Sequence, residues 1–195
     1  MTRRTPRAWR RTATIGAREE AQQAAGLLPQ NATSGLVVAL GYGAHTRPNP
    51  TVPKGFGLLV AANPPTSHSL LACTFLHQKF QHRTPEGATL LRAFFASSAA
   101  DELSHHSDSE IADIARDQLT AFLGPIPKHA DVTIVRRWPR SLPQYEVGHV
   151  ARVAQFDSCM SELHGLIVAG NALRGVGLPD LVRDATQAAH ALARN

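Results

Sequence analysis

The sequence predicts an α+β fold. Three observations carry that expectation. Four short apolar runs are separated by turn signals, a capped amphipathic helix lies in mid-chain, and a C-terminal apolar run stops at glycines and restarts with helical spacing. At 195 residues with 43% apolar side chains, the chain is long enough for one domain or for pieces of two, and it can form a core.

Residues 35–42 (GLVVALGY), 55–61 (GFGLLVA), 69–76 (SLLACTFL) and 89–96 (TLLRAFFA) read as strands, with a turn at Asn63-Pro64-Pro65 between the second and third. Their spacing predicts an antiparallel meander. Ser107-Asp108-Ser109-Glu110 has the capping-box pattern, in which the hydroxyl accepts from the N3 amide while the glutamate reaches back. Ile111, Ile114, Ala115, Leu119, Phe122 and Leu123 then form one helical stripe, and Gly124-Pro125 ends it. Residues 131–137 (DVTIVRR) alternate as a strand. The following stretch to Tyr145 holds Pro139 and Pro143, which predicts a stiff extended connector outside helix or central strand. Val150, Val153, Met160 and Leu163 mark another amphipathic helix closing at Gly165. Leu166-Ile167-Val168-Ala169 reads as a short strand. Gly170, Asn171, Gly175, Gly177 and Pro179 then lead into a helix that begins near Leu178.

Charge and cysteine usage narrow the function classes. Of twenty basic side chains, Arg3, Arg4, Arg7, Arg10 and Arg11 crowd into the first eleven residues, leaving fifteen basic and fifteen acidic groups elsewhere. Residues 1–33 therefore read as a basic, poorly ordered leader on a neutral body. An RNA-binding role through that arm is disfavoured, because the body lacks basic strands interleaved with aromatics. No apolar run reaches membrane-spanning length and no secretory signal is visible. Cys73 and Cys159 read as buried thiols in a reducing compartment. His77, His82, His105 and His106 lack ligand spacing, so no metal site is expected.

The glycine corner carries the chemistry. A helix beginning at Leu178-Pro179 presents unpaired amides and the positive end of its dipole, and Pro179 suits the first turn. Glycines just ahead let backbone approach a bound group. Such a corner seats a phosphate or a flavin ring, or is an ordinary strand-to-helix turn.

The stretch Val168-Ala169-Gly170-Asn171-Ala172-Leu173-Arg174-Gly175-Val176-Gly177-Leu178-Pro179-Asp180 resembles the C-terminal signature of the protoporphyrinogen oxidases, FAD enzymes related to the flavin amine oxidases. Further blocks resemble the same family in the same order: Gly55-Phe56-Gly57-Leu58-Leu59, Leu71-Ala72-Cys73-Thr74-Phe75, Arg83-Thr84-Pro85-Glu86-Gly87, and Arg137 to Tyr145 with Gly148-His149. The likeness covers roughly residues 34–193.

The resemblance implies an antiparallel substrate-domain sheet plus the C-terminal strand and helix of a Rossmann-like FAD-binding domain. It divides the chain into 34–136 for the sheet portion and 137–195 for the return to the FAD domain. It implies that Gly175, Val176, Gly177, Leu178 and Trp138 lie against the FAD, and that Phe56 and Leu59 line a tetrapyrrole pocket. The implied reaction is oxidation of protoporphyrinogen IX to protoporphyrin IX in haem biosynthesis by loss of three hydride equivalents. Coproporphyrinogen III or an amine is the less expected substrate. The flavin does the chemistry and the protein positions it. No Ser-His-Asp or paired-carboxylate set is present, and no catalytic residue is assigned.

Two departures qualify the resemblance. Gly41-Tyr42-Gly43, Gly55-Phe56-Gly57 and Gly175-Val176-Gly177 all lack the third glycine of the pyrophosphate-binding motif, and Leu173 and Leu181 stand where an aromatic and a cysteine are usual. The chain reads as the C-terminal portion, under half, of such an enzyme. It holds one flank of a flavin site, to be completed by a separate chain bearing the nucleotide-binding half. The alternative is a non-catalytic remnant or a tetrapyrrole-binding module. The expected location is the cytoplasm, peripheral to the inner membrane, with homodimerisation open and no nucleic-acid partner.

Overall fold

A computed structural model describes residues 15–46, 49–61, 70–163 and 165–194. The five arginines of the N-terminal cluster and the Asn63-Pro64-Pro65 turn lie outside the described residues. The chain divides into two compact units: residues 32–142, and residues 1–31 together with 143–195.

Unit 32–142 is a five-stranded sheet with helices. It holds β1 (Ala32–Tyr42), β2 (Gly57–Leu59), β3 (Leu70–Phe75), the short α-helix Leu76–Lys79, β4 (Thr89–Phe95), the helix Ser97–Glu102, the long helix Asp108–Leu123, and β5, which spans Val132–Pro143. The strand order is β2-β3-β4-β1-β5. This corrects the expected meander. β2, β3 and β4 follow one another, but β1 joins on the far side of β4, with Leu40 opposite Leu91. Among the expected strands β2 is much the shortest. At Gly57, with φ of 158°, a Cβ would meet the Cys73 carbonyl oxygen at 2.2 Å, so the close approach to β3 requires glycine.

Strict alternation on β1 and β4 sets up the core. Leu36, Val38, Leu40 and Tyr42 from β1, and Leu91, Ala93 and Phe95 from β4, are buried on one face. Against them pack Ala99, Ala100, Leu103, Ile111, Ala115, Leu119 and Leu123. Burial pushes the Cys73 thiol up to about 12, which leaves it inert. Cys159 is free and half-buried. The helix Asp108–Leu123 carries the expected cap: Glu110 N–H donates to Ser107 Oγ (3.3 Å), and Ser107 N–H donates to the Glu110 carboxylate (2.8 Å). Phe122, expected on the buried stripe, is exposed.

The expected connector is also corrected, because β5 continues through both prolines. β5 is an edge strand, where a missing donor is tolerated. Pro139 precedes Arg140, whose φ of 45° kinks the strand and whose N–H turns to Ser34 Oγ (3.1 Å). Next to Pro143, Gln144 N–H donates to the Asn31 carbonyl (2.9 Å). Strand alternation therefore puts the missing Pro143 donor on the outer side. β5 runs to the end of this unit at Leu142 and one residue beyond.

The other unit holds α1 (Ile15–Leu27), the helix His149–Ser161 and the C-terminal helix Leu178–Arg194. α1 lies within the stretch expected to be poorly ordered. Its Ala24 is buried with Phe156 and Leu173, and Leu27, Leu28, Val153 and Met160 pack around them. Val150, expected on the buried face, is exposed, and Phe156 takes the central place. The strand expected at 166–169 does not form; that segment is irregular, with Leu166 and Val168 exposed. β-Branched composition cannot make a strand without a neighbour to pair with. Among the described residues no helix is long and apolar enough to cross a membrane.

The cap gives a testable sign. Ser107→Ala should lower stability by about 1 kcal/mol, the usual effect of losing an N-cap hydroxyl, measured by urea unfolding at pH 7. Hydrogen bonds from Ser107 hold the Glu110 carboxyl below its ordinary value. Its contribution is therefore complete above that ordinary value, about 4.3, and is lost as pH falls through the lowered one. The gap in melting temperature between wild type and variant should shrink below about pH 4.

Candidate functional site

Two features could hold a ligand, one in each unit. The first is the open face of the sheet. The residues alternating with the buried set are Gly35, Val37, Ala39 and Gly41 on β1, Leu90, Arg92 and Phe94 on β4, and Val132, Ile134, Arg136 and Trp138 on β5. Small side chains on β1 leave a depression between larger ones on its neighbours. The result is a cavity of about 650 Å³ with predominantly apolar walls, a size typical of sites for flat organic ligands. A second hollow of about 610 Å³ shares Val37, Phe94 and Trp138 with it and continues along the same face. Trp138 is 48% exposed, with its Cε3 3.7 Å from where a Gly35 Cβ would sit. It is a wall of both hollows and not a core anchor.

Polar groups gather at the Gly43 end. Asp131 Oδ2 accepts from Gly43 N–H (2.7 Å) and Thr46 Oγ1 (2.8 Å), and His45 Nε2 lies 3.4 Å from Oδ1. The Gly43 N–H bond comes first in holding the Asp131 carboxyl below the usual range. This carboxylate stays charged at neutral pH, with its acceptors already occupied.

Phe56 and Leu59 are 69% and 87% exposed and are not among the residues lining either hollow. On the three-residue edge strand β2, Leu58 is the side chain that turns to the core. Of the wall-forming residues, the sequence singles out Trp138; for the others, the arginine inside the apolar run of β4 is the signal.

The second feature is the glycine corner, residues 170–178. Side chains clamp it. Tyr145 Oη donates to the Asn171 carbonyl (2.5 Å) and accepts from Gly175 N–H (3.0 Å). The Tyr145 ring stacks on His149, with centroids 3.8 Å apart, and His149 Nε2 lies 2.7 Å from the Leu173 carbonyl oxygen. Buried Asp184 accepts from Gly170 N–H (3.0 Å) and Arg174 (2.9 Å), while Arg174 also pairs with Asp157. Asp157 and Asp184 together hold the Arg174 guanidinium above its ordinary value. Tyr145 and His149 lie within the blocks of family resemblance, and the sequence alone assigns them no role.

The corner fits a flat ring in part. Val176 and Leu178 are 51% and 77% exposed on either side of Gly177, so backbone and apolar surface are open there. Leu178 and Pro179 begin the C-terminal helix, and Leu181 N–H is the donor that reaches the Gly177 carbonyl (3.0 Å). The Gly175 side is closed. A Cβ there would meet Asp180 Oδ2 at 2.6 Å, and φ is 135°, so glycine is required. Asp180 is an acid in the helix's first turn and is paired with Arg183. Its carboxylate meets part of the positive end of the helix dipole.

The sequence matches the family described as flavin containing amine oxidoreductase over residues 11–193. It is 32% identical over 130 residues to a coproporphyrinogen III oxidase of Bacillus subtilis (strain 168), an alignment covering 66% of this chain and 27% of that protein. With the chloroplastic protoporphyrinogen oxidase of Nicotiana tabacum it shares 29% over 140 residues, covering 70% and 25%. A solved structure from Exiguobacterium sp. 255-15, provisionally named a protoporphyrinogen oxidase, superposes with a TM-score of 0.71 at 28% identity. That match covers 93% of this chain and 40% of the other. The chain spans about a quarter of the length of these curated relatives.

Tyr145→Phe should loosen the corner while leaving the ring stack intact. It removes one donor and one acceptor from backbone groups of Asn171 and Gly175, a loss of about 1 kcal/mol at a partly exposed site. Limited proteolysis should cut within 170–178 faster than in wild type, with cleavage elsewhere unchanged.

Proposed function

The chain belongs to the flavin containing amine oxidoreductase family, and from that premise we propose that it is part of a haem-pathway oxidase whose flavin is FAD and whose substrate is a porphyrinogen. The observation that carries the substrate half of this reading is the apolar hollow on the open sheet face, long enough to continue past Trp138 into the second hollow. The relatives' names support the same class, since they act on coproporphyrinogen III or protoporphyrinogen.

In this reading the sheet face binds the macrocycle and strips water from it. Val37, Ala39, Ile134 and Phe94 supply the apolar floor, and Trp138 closes one end with a flat aromatic surface. In the other unit, Val176, Gly177 and Leu178 offer exposed backbone and apolar contact to a ring. Tyr145, His149 and Asp184 hold that backbone in one shape, so little ordering remains to be done on binding. When bound, the flavin would accept the hydride equivalents removed from the substrate. The residues assigned to it are Trp138, Gly175, Val176, Gly177 and Leu178. Of these, Gly175 serves by shape, because its missing side chain makes room for Asp180.

One observation favours a second reading, a tetrapyrrole-binding chain without turnover. Every residue lining the large hollow falls between 37 and 138, inside the sheet unit, so binding there needs nothing from the glycine corner.

Reconstitution separates the two. The purified chain, mixed with FAD and desalted, should retain no flavin absorbance. Adding a separately expressed nucleotide-binding half from a relative should yield retained flavin and conversion of coproporphyrinogen III or protoporphyrinogen IX to fluorescent porphyrin above the air-oxidation rate. Porphyrin binding without turnover in that mixture would select the second reading. Neither binding nor turnover would overturn both.

A further inference from the structure

Two arginines of the sheet-face hollow, Arg92 and Arg136, are set apart by their partners. Four guanidinium groups elsewhere are matched to acids: Arg116 to Asp113 and Asp117, Arg137 to Asp108, Arg174 to Asp157 and Asp184, and Arg183 to Asp180. Arg152 instead donates to the backbone carbonyls of Val147 and Glu146. Arg92 and Arg136 line an apolar cavity and make no salt bridge among the described residues. The Arg92 guanidinium lies over the Phe94 ring, 5.0 Å from its centroid, and its Nε is buried without a hydrogen-bond partner. Arg136 gives one N–H to the carbonyl of its neighbour Val135 (3.1 Å). Each guanidinium has five donors in a planar fork, so most of that capacity is unused. The acid in the cavity wall, Asp131, already accepts from Gly43, Thr46 and His45.

At Arg92, whose Nε is buried, a charged fork on an apolar floor without an acid is costly unless something arrives to pair with it. The arrangement suits a ligand with an apolar body and carboxylate arms. Arginine fits a carboxylate with two parallel N–H···O bonds, and stacking on Phe94 holds the Arg92 fork in place. Register spaces the two groups apart. Arg92 lies opposite Ala39 on β1. Gly41 abuts Val132 and Gly35 abuts Trp138, which brings Arg136 beside Val37. Their Cα atoms are thus two strand spacings apart with a two-residue stagger, roughly 12 Å. That separation accommodates two carboxylates on different arms of one ligand.

We propose that Arg92 and Arg136 are the carboxylate-binding residues of this hollow, and that they select and orient its ligand by its acid arms. The proposal rests on the porphyrinogen reading, which supplies the apolar body and the propionate arms. It makes the free acid of a porphyrin a ligand and its ester a poor one. Arg83, at the rim and 5.7 Å from the Phe80 ring centroid, is left outside the assignment.

The test uses the full chain and two air-stable probes, coproporphyrin III and its tetramethyl ester, with binding followed by porphyrin fluorescence. Wild type should bind the free acid at least about 10-fold more tightly than the ester, the scale of one charge-assisted hydrogen bond. Arg92→Gln and Arg136→Gln should each weaken free-acid binding by about 10-fold and leave ester binding unchanged. Arg92→Lys, which keeps the charge without the fork, should recover part of the loss. Unchanged ester binding also certifies that each variant is folded, and the exposed Arg136 supplies an independent variant if Arg92→Gln does not fold. Equal binding of acid and ester by wild type, or an acid preference that survives both glutamine variants, would overturn the arginine assignment while leaving the porphyrinogen reading standing. Binding of neither probe would overturn both.

Discussion

Alternation along two neighbouring strands is the constraint on which the sheet unit depends. Successive side chains on a strand point to opposite faces, so a single register decides what is core and what is open. With Leu40 opposite Leu91, the large residues of β1 and β4 meet the helices. The same register sends Val37, Ala39, Arg92 and Phe94 to the other side. Core and cavity are therefore one decision. A one-residue slip would bury an arginine and present leucines to solvent, at a cost large compared with the net stability of a domain.

The glycine corner is built by a different logic. It has no regular structure of its own, so its backbone groups need side-chain partners. Tyr145 bridges a carbonyl and an amide with one hydroxyl. His149 packs flat on that tyrosine and reaches Leu173. Asp184 ties Gly170 to Arg174, and Arg174 reaches on to Asp157. The loop keeps an exposed apolar rim at Val176 and Leu178 because everything behind it is fixed.

Much of this was legible in the sequence, and the exceptions share a cause. The helix Asp108–Leu123 was readable from local chemistry alone, since both partners of its cap lie within four residues. The strands were readable from their runs and turns. The order of strands was not, because adjacency depends on long-range pairing that no local pattern encodes. Nor was the open face: Leu-Val-Val-Ala-Leu is apolar on both sides, so its period is visible but its polarity is not. The run 166–169 has strand composition, and among the described residues no strand pairs with it. Phe56 and Leu59, which the resemblance assigns to a pocket, are exposed at the sheet edge beside and on the short β2. The roles of Tyr145 and Asp184 depend on partners 26 to 30 and 10 to 14 residues away, distances at which spacing carries no signal.

The prolines of β5 bear on how this chain behaves in company. A free sheet edge is a template on which a strand from another molecule can grow. Pro143 withholds a donor on the outward side, and the kink beside Pro139 bends the ribbon away from flatness. An incoming strand would find an interrupted ladder where it needs a continuous one, which discourages stacking of copies through this edge.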